Sequence, residues 1–341
     1  MEKSKIQWTD ATWNVAVGCS KVDADCKFCY MFRGSMNDTI YVPTVIRRTK
    51  TVFNLPMKLK TPSRIFTSSL TDFFHEGIDS FRNEAWDIIR KCPQHTFQIL
   101  TKRPERIKDN LPEFWDEIKY YCHIGTSVGS AEGIHRIITL QSLQDIPVKF
   151  LSLEPLYEPI DLVGNGLLKG IDWVIVGGES GNETGKYKYR PCNLDWITTI
   201  VDQCTQNNVP VFVKQLGTYL SKEMGLKDRH GGNIDEFPTH LQVRQFPNFI
   251  NPSNKFHDAI LSVPIPPFQK EFTGYFDDNI NGIYVGDCLK SKWGYTVVVY
   301  KDENGNYLGK LVCDEDHSCK DIPYGLNGGR GFTKTKNPNG N

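Results

Sequence analysis

The chain has 341 residues, with 40 lysines plus arginines balanced by 40 aspartates plus glutamates. That length buries a substantial core in one large domain or two. The zero net charge excludes a global field that recruits nucleic acid, so any polyanion site must be a local patch.

The start, Met-Glu-Lys-Ser-Lys-Ile-Gln-Trp, lacks the apolar core of a signal peptide. No apolar run approaches the ~20 residues that span a bilayer, so no membrane is expected as a partner. Ten cysteines without an export signal point to a reducing cytoplasm with free or metal-bound thiols.

A first strand is expected through Trp13–Val17, delivering Cys19 at its end. The next stretch, Gly18-Cys-Ser-Lys-Val-Asp-Ala-Asp-Cys-Lys-Phe-Cys-Tyr30, carries Cys19, Cys26 and Cys29 in the spacing C-x6-C-x2-C. Three thiolates on one loop leave one iron of a [4Fe–4S] cluster open. An amino-and-carboxylate chelator such as S-adenosylmethionine can fill that position. Electron transfer from the reduced cluster then splits its sulfonium bond into methionine and a 5′-deoxyadenosyl radical. Phe28 and Tyr30, flanking the last cysteine, suit the face of an adenine ring, or else pack in the core. Zinc is the competing reading and needs a fourth ligand, with His75 or Cys92 as candidates. A disulfide plus a spare thiol, or three inert buried cysteines, are the remaining readings.

From there to about residue 216, short apolar runs alternate with helical patterns. The expected strands are Arg64–Ser69, Phe97–Thr101, Cys122–Ser127, Val148–Leu153, Trp173–Gly177 and Val209–Lys214. Helical spacing marks Glu84–Lys91, Gly133–Leu143 and Leu194–Gln206. This alternation predicts an α/β fold, a full or partial (β/α) barrel of parallel strands. No G-x-G-x-x-G follows the first strand, which argues against a dinucleotide fold.

Function in such a barrel sits at the C-terminal ends of the strands, and those ends are polar here. Ser69 and Asp72 follow the second strand as candidate acceptors for a methionine ammonium, or as a helix cap. Thr126 and Ser127 end the fourth and suit a ribose or carboxylate. Glu154, Glu179 and Lys214 are candidates for acid–base work in the same cavity, or the two glutamates hold ribose hydroxyls, with salt bridges from them to Lys102, Arg103 or Lys214 as the structural alternative. Gly177 and Gly178 allow close backbone approach to a ligand, or a turn. Lys102, Arg103, Arg190 and Lys214 together suit a phosphate-bearing substrate.

Around Leu261-Ser-Val-Pro264-Ile-Pro266-Pro267 the pattern breaks into a semi-rigid linker. Beyond it, Gly282–Leu289, Tyr295–Lys301 and Asn306–Cys313 alternate like short antiparallel strands, with Asp302-Glu-Asn-Gly305 as a hairpin turn. The expected organisation is a barrel domain over 1–250, a Pro-rich linker over 251–270, a small β-domain over 271–325 and a disordered tail over 326–341.

The stretch Ile6-Gln-Trp8-Thr9-Asp10-Ala-Thr-Trp13-Asn14, the cysteine loop, Ser152-Leu-Glu154-Pro155 and Gly177-Gly-Glu-Ser-Gly181 together resemble a phage- and prophage-associated three-cysteine family. That family, a domain of unknown function, is similar to a divergent branch of the radical S-adenosylmethionine superfamily. The resemblance runs from about residue 6 to Val243-Arg-Gln-Phe-Pro247. Gly282-Ile-Tyr284-Val-Gly286-Asp287 is similar to small YopX-type β-domains of phage proteins. The first cysteine gap departs from the superfamily's usual C-x3-C-x2-C. Its Gly-Gly-Glu after the second strand is replaced here by Ser68-Ser69 and Asp72. The resemblance implies radical modification or repair of a nucleotide or nucleic acid, with a flavodoxin or ferredoxin as reductant. Radical chemistry on a peptide or small metabolite, and a non-catalytic zinc or iron–sulfur binding protein, are the alternatives.

Overall fold

The computed structural model describes residues 4–32, 42–184 and 188–247, and beyond these the backbone of seven strands between 272 and 335. The chain divides into two compact units, Met1–Asn254 and Lys255–Asn341. The Pro-rich stretch over 251–270 lies outside the described residues.

Seven strands among the described residues of the first unit form its main sheet: β1 (Ala11–Trp13), β2 (Arg64–Thr67), β3 (Thr96–Thr101), β4 (Cys122–Ser127), β5 (Val148–Leu153), β6 (Trp173–Gly177) and β7 (Val211–Gln215). They pair in chain order, every pair parallel. The first and last strands do not pair with each other. The sheet therefore curls into a half-barrel.

Because side chains alternate across a strand, each strand serves two cores. Ile65, Phe97, Ile99, Ile124, Leu151, Val174 and Val213 face the core under the helices. Phe66, Phe150, Trp173, Ile175 and Phe212 join Trp8 in a second, aromatic cluster on the other face. Gly125 stands where a side chain would strike the Phe150 ring, 2.6 Å from an added Cβ. Buried on both faces, these strands read as continuous apolar runs, which made them visible in sequence.

Three longer helices cover the outer face: α1 (Arg82–Arg90), α2 (Ile134–Ser142) and α3 (Leu194–Gln206). The last begins where the Asn193 side chain accepts from the Asp195 backbone N–H at 2.9 Å. Beyond its end, Asn208 takes φ 53°, a left-handed conformation that asparagine tolerates.

The first strand differs from the expected Trp13–Val17. It ends at Trp13, and Ala16–Val17 pairs antiparallel with Arg47–Arg48 instead. The switch falls at Asn14, whose side-chain oxygen accepts the Leu70 N–H at 2.7 Å and ties the turn to the segment after β2. Gly18, at φ 111°, then turns the chain where a Cβ would lie 2.4 Å from the Val45 carbonyl.

The second unit contains a five-stranded antiparallel sheet in the order Lys320–Ile322, Tyr307–Val312, Thr296–Lys301, Cys288–Ser291, Phe332–Thr335. Phe272–Phe276 pairs with Gly282–Tyr284 in a separate ribbon. The expected strand over 282–289 is thus two strands, and a strand stands within the expected tail. Lys301 lies opposite Tyr307; the expected hairpin turn between them is outside the described residues.

Candidate functional site

The cysteine loop lies over the C-terminal ends of the strands, where a cavity of about 470 Å³ opens. Cys19, Cys26 and Cys29 all line it, with Phe28, Tyr30, Ser69, Asp72, Ser127, Glu154, Glu179 and Lys214. One cavity thus brings together eleven of the fourteen residues expected as cluster ligands, cofactor contacts or acid–base groups.

Buried ion pairs hold the loop. Asp23 caps the turn Ala24–Cys26 by accepting the Asp25 N–H at 2.9 Å. Both aspartates then pair with Arg136, a fully buried arginine on α2. Asp25 also accepts the Tyr157 hydroxyl at 2.5 Å and the Gly129 N–H at 3.1 Å. On the other side, Arg103 donates to the Ser20 carbonyl at 3.1 Å and to its hydroxyl at 2.7 Å. Arg190 donates to the Ala24 carbonyl at 2.8 Å. Sequence reading missed Arg136. Its one trace is a charged residue on an otherwise apolar helix face, answering the acid pair Asp23 and Asp25.

None of the three cysteines is in a disulfide, and burial is the main reason that the Cys19 thiol is pushed up to about 11, with the nearby Asp72 adding to it and Arg103 opposing. A bound metal reverses that preference by holding the thiolate. Among the described residues, no three His, Cys, Asp or Glu side chains are grouped to hold a single metal ion. The expected fourth zinc ligands are committed elsewhere. Both His75 ring nitrogens are engaged, Nδ1 by the Gly77 N–H and Nε2 by Ser20, each at 2.9 Å. Cys92 is buried in the core beneath the helices.

Several assigned roles change. Asp72 is saturated: Oδ1 accepts from the Thr101 hydroxyl at 2.7 Å and the Phe74 N–H at 2.9 Å. Its Oδ2 accepts from the Lys102 N–H at 2.9 Å and Arg103 at 3.1 Å. Four donors fill a carboxylate's directions, so Asp72 orients Arg103 rather than awaiting an ammonium. The Ser69 hydroxyl is paired with the Asn14 side chain, and its carbonyl accepts the Tyr30 hydroxyl at 2.7 Å.

Thr126 is fully buried and gives its hydroxyl to the Thr101 carbonyl, outside the cavity lining. Gly177 and Gly178 approach the neighbouring strand, not the cavity: a Cβ on Gly178 would lie 2.2 Å from the Leu216 carbonyl, and one on Gly177 2.9 Å from that of Gln215.

The acids and bases form closed pairs. Glu154 is ion-paired with Lys214. Glu179 takes Arg190 in a two-point grip at 2.9 and 2.7 Å, plus the Arg190 N–H at 2.7 Å. The sequence reading of that salt bridge had the wrong partner, since Arg190 arrives from outside the strand ends. Of the four expected phosphate-binding cations, Arg103, Arg190 and Lys214 are thereby neutralised. Lys102 donates to the Ser127 hydroxyl at 3.1 Å.

Three other cavity-lining side chains carry buried polar atoms with no partner: Trp8 Nε1, Ser68 Oγ and Thr71 Oγ1. A half-barrel with a cavity at its strand ends, lined in part by a three-cysteine loop, defines the class. Residues 3–307 match the family described as Protein of unknown function (DUF5131), and the chain belongs to that family. No curated protein and no solved structure matches it. Among the described residues, no helix is long and apolar enough to cross a membrane.

Proposed function

We propose that the protein is an iron–sulfur enzyme of the radical S-adenosylmethionine type. The observation that carries this is the shared cavity wall of Cys19, Cys26 and Cys29 at the strand ends of a half-barrel. A single zinc ion draws its thiolates into one tetrahedron with Zn–S distances of about 2.3 Å. A cubane instead gives each of three thiolates its own iron and leaves the fourth iron open to the cavity. When bound, the cluster and S-adenosylmethionine supply reductive cleavage of the sulfonium to methionine and a 5′-deoxyadenosyl radical.

The chain's own contribution is holding and shielding. Arg136, Arg103 and Arg190 fix the loop from three sides, so the thiols are placed by buried charge and not by loop stiffness. Phe28 and Tyr30 offer aromatic faces at the cavity wall. The Glu154–Lys214 pair is the cavity's candidate for moving a proton. The substrate of this reading is a nucleotide or nucleic acid from a phage context, with Lys102 as its phosphate contact. A flavodoxin or ferredoxin in a reducing cytoplasm supplies the electron.

Anaerobic reconstitution tests the reading. The expected product is a brown protein with about four irons per chain, which forms 5′-deoxyadenosine when reduced with S-adenosylmethionine. One zinc per chain and no iron, or iron-loaded protein that never cleaves the cofactor under any reductant, would overturn it.

A further inference from the structure

The cavity is not uniform. Besides the cysteine loop it is lined by Ile6, Trp8, Phe66 and Leu100, which pack together in the aromatic cluster. The Trp8 and Phe66 rings stand 4.6 Å apart there, tilted at 58°. Trp8, Ser68 and Thr71 are 3%, 4% and 8% exposed, and each keeps a buried polar atom that no protein group satisfies. A buried polar group left unpaired costs about 1–3 kcal/mol, and three lining one cavity mark a place completed by a ligand.

The donor chemistry narrows that ligand. An indole N–H only donates, so Trp8 requires an acceptor, while the two hydroxyls adapt to either role. The cavity's carboxylates are closed, Asp72 by four donors, Glu154 by Lys214 and Glu179 by Arg190. The unpartnered donors are all uncharged and sit beside aromatic and aliphatic walls. A phosphate would be stripped of water there without a cation to replace it. A neutral carbonyl on a flat ring loses far less and gains the aromatic faces.

We infer that Trp8, Ser68 and Thr71 form a subsite for the carbonyl edge of an uncharged planar ring, the base of a nucleoside substrate such as a pyrimidine or guanine. The inference deepens the proposed function and rests on it for the substrate's nucleotide character. The phosphate, if one is present, then lies toward Lys102 and outside this subsite.

Calorimetry on the full chain tests it, both as purified and after iron–sulfur reconstitution. The probes are thymidine and guanosine, which carry ring carbonyls, against adenosine, which carries none, and inorganic phosphate. Thymidine or guanosine should bind, and Trp8→Phe should weaken that binding about tenfold while keeping the apolar face, the worth of one neutral hydrogen bond. Ser68→Ala, with folding checked by circular dichroism, should weaken it similarly. No binding of either carbonyl nucleoside in both preparations overturns the inference, and so does binding that Trp8→Phe and Ser68→Ala leave intact. Adenosine binding equally well, with the same dependence on Trp8, assigns the pocket to a cofactor's adenine and also overturns it. Iron content separates the two readings. Full iron without nucleoside binding sinks this subsite alone, and nucleoside binding without iron sinks the cluster alone.

Discussion

Arg103 reaches from the end of β3 to Ser20, the residue after Cys19, donating to its carbonyl at 3.1 Å and its hydroxyl at 2.7 Å. The same guanidinium is paired with Asp72 at 3.1 Å, and both side chains are at least nine-tenths buried. One arginine therefore ties the cysteine loop to the strand ends. Arg103→Ala leaves buried Asp72 without its counterion, with only the Thr101 hydroxyl and the Phe74 and Lys102 N–H groups to hold it, and breaking a buried pair costs about 3–5 kcal/mol. Urea denaturation should show a loss of that order, and Arg103→Lys should recover only part of it, lacking the planar fork. A loss below about 1 kcal/mol, the scale of an exposed pair, would mean that the loop is held elsewhere.

The cysteines divide by location. Cys19→Ala, Cys26→Ala and Cys29→Ala should each abolish iron binding after anaerobic reconstitution. Changes at Cys92, Cys122, Cys192 and Cys204, all buried away from the cavity lining, should lower stability but leave iron content unchanged. Loss of iron in Cys122→Ala at full folding would contradict the three-ligand arrangement.

Gly178 is read here as a packing glycine. A Cβ would meet the Leu216 carbonyl at 2.2 Å and the Cys192 Cβ at 3.2 Å, and a backbone carbonyl has little room to yield. Gly178→Ala should destabilise the protein by about 1–3 kcal/mol, the range for overpacking, measured as a fall in melting temperature. Unchanged melting together with lost S-adenosylmethionine binding would return the glycine to a ligand-contacting role.

Stability should depend on pH through three buried histidines. Burial depresses His75, His95 and His123 below the ordinary 6.5, His123 to about 3. Below 6.5 the unfolded chain takes up protons that the native protein refuses. Their contribution is therefore complete above that pH and is lost as pH falls toward the folded values. Each adds a slope of up to about 1.4 kcal/mol per pH unit. The urea midpoint should hold between about pH 7 and 8 and drop by about pH 5.5, above the range where carboxylates titrate. A flat profile would show that these rings are not neutral and buried.

Much of the frame was legible in the sequence. Strands buried on both faces read as uninterrupted apolar runs, and β3, β4, β5 and β6 fall within a residue or so of their expected limits. Leu194–Gln206 was legible to the residue because Asn193 caps it and its apolar positions repeat at helical spacing. The cysteines were legible as a set because three thiols at short spacing have few uses.

Partner choice was not legible, because it depends on which side chains the folded sheet brings within about 3 Å. The sequence by itself determined that polar residues end each strand and that Cys19, Cys26 and Cys29 share a loop. Only the tertiary structure decided that Glu179 belongs to Arg190, that Glu154 belongs to Lys214, and that Asp72 is spent on Arg103. It also decided that Gly177 and Gly178 make room for a neighbouring strand and that Trp8, Ser68 and Thr71 keep unpaired polar atoms. The physical reason is range. Periodicity and capping act within a few residues, while a buried charge finds its counterion across the fold, as Arg136 does with Asp25.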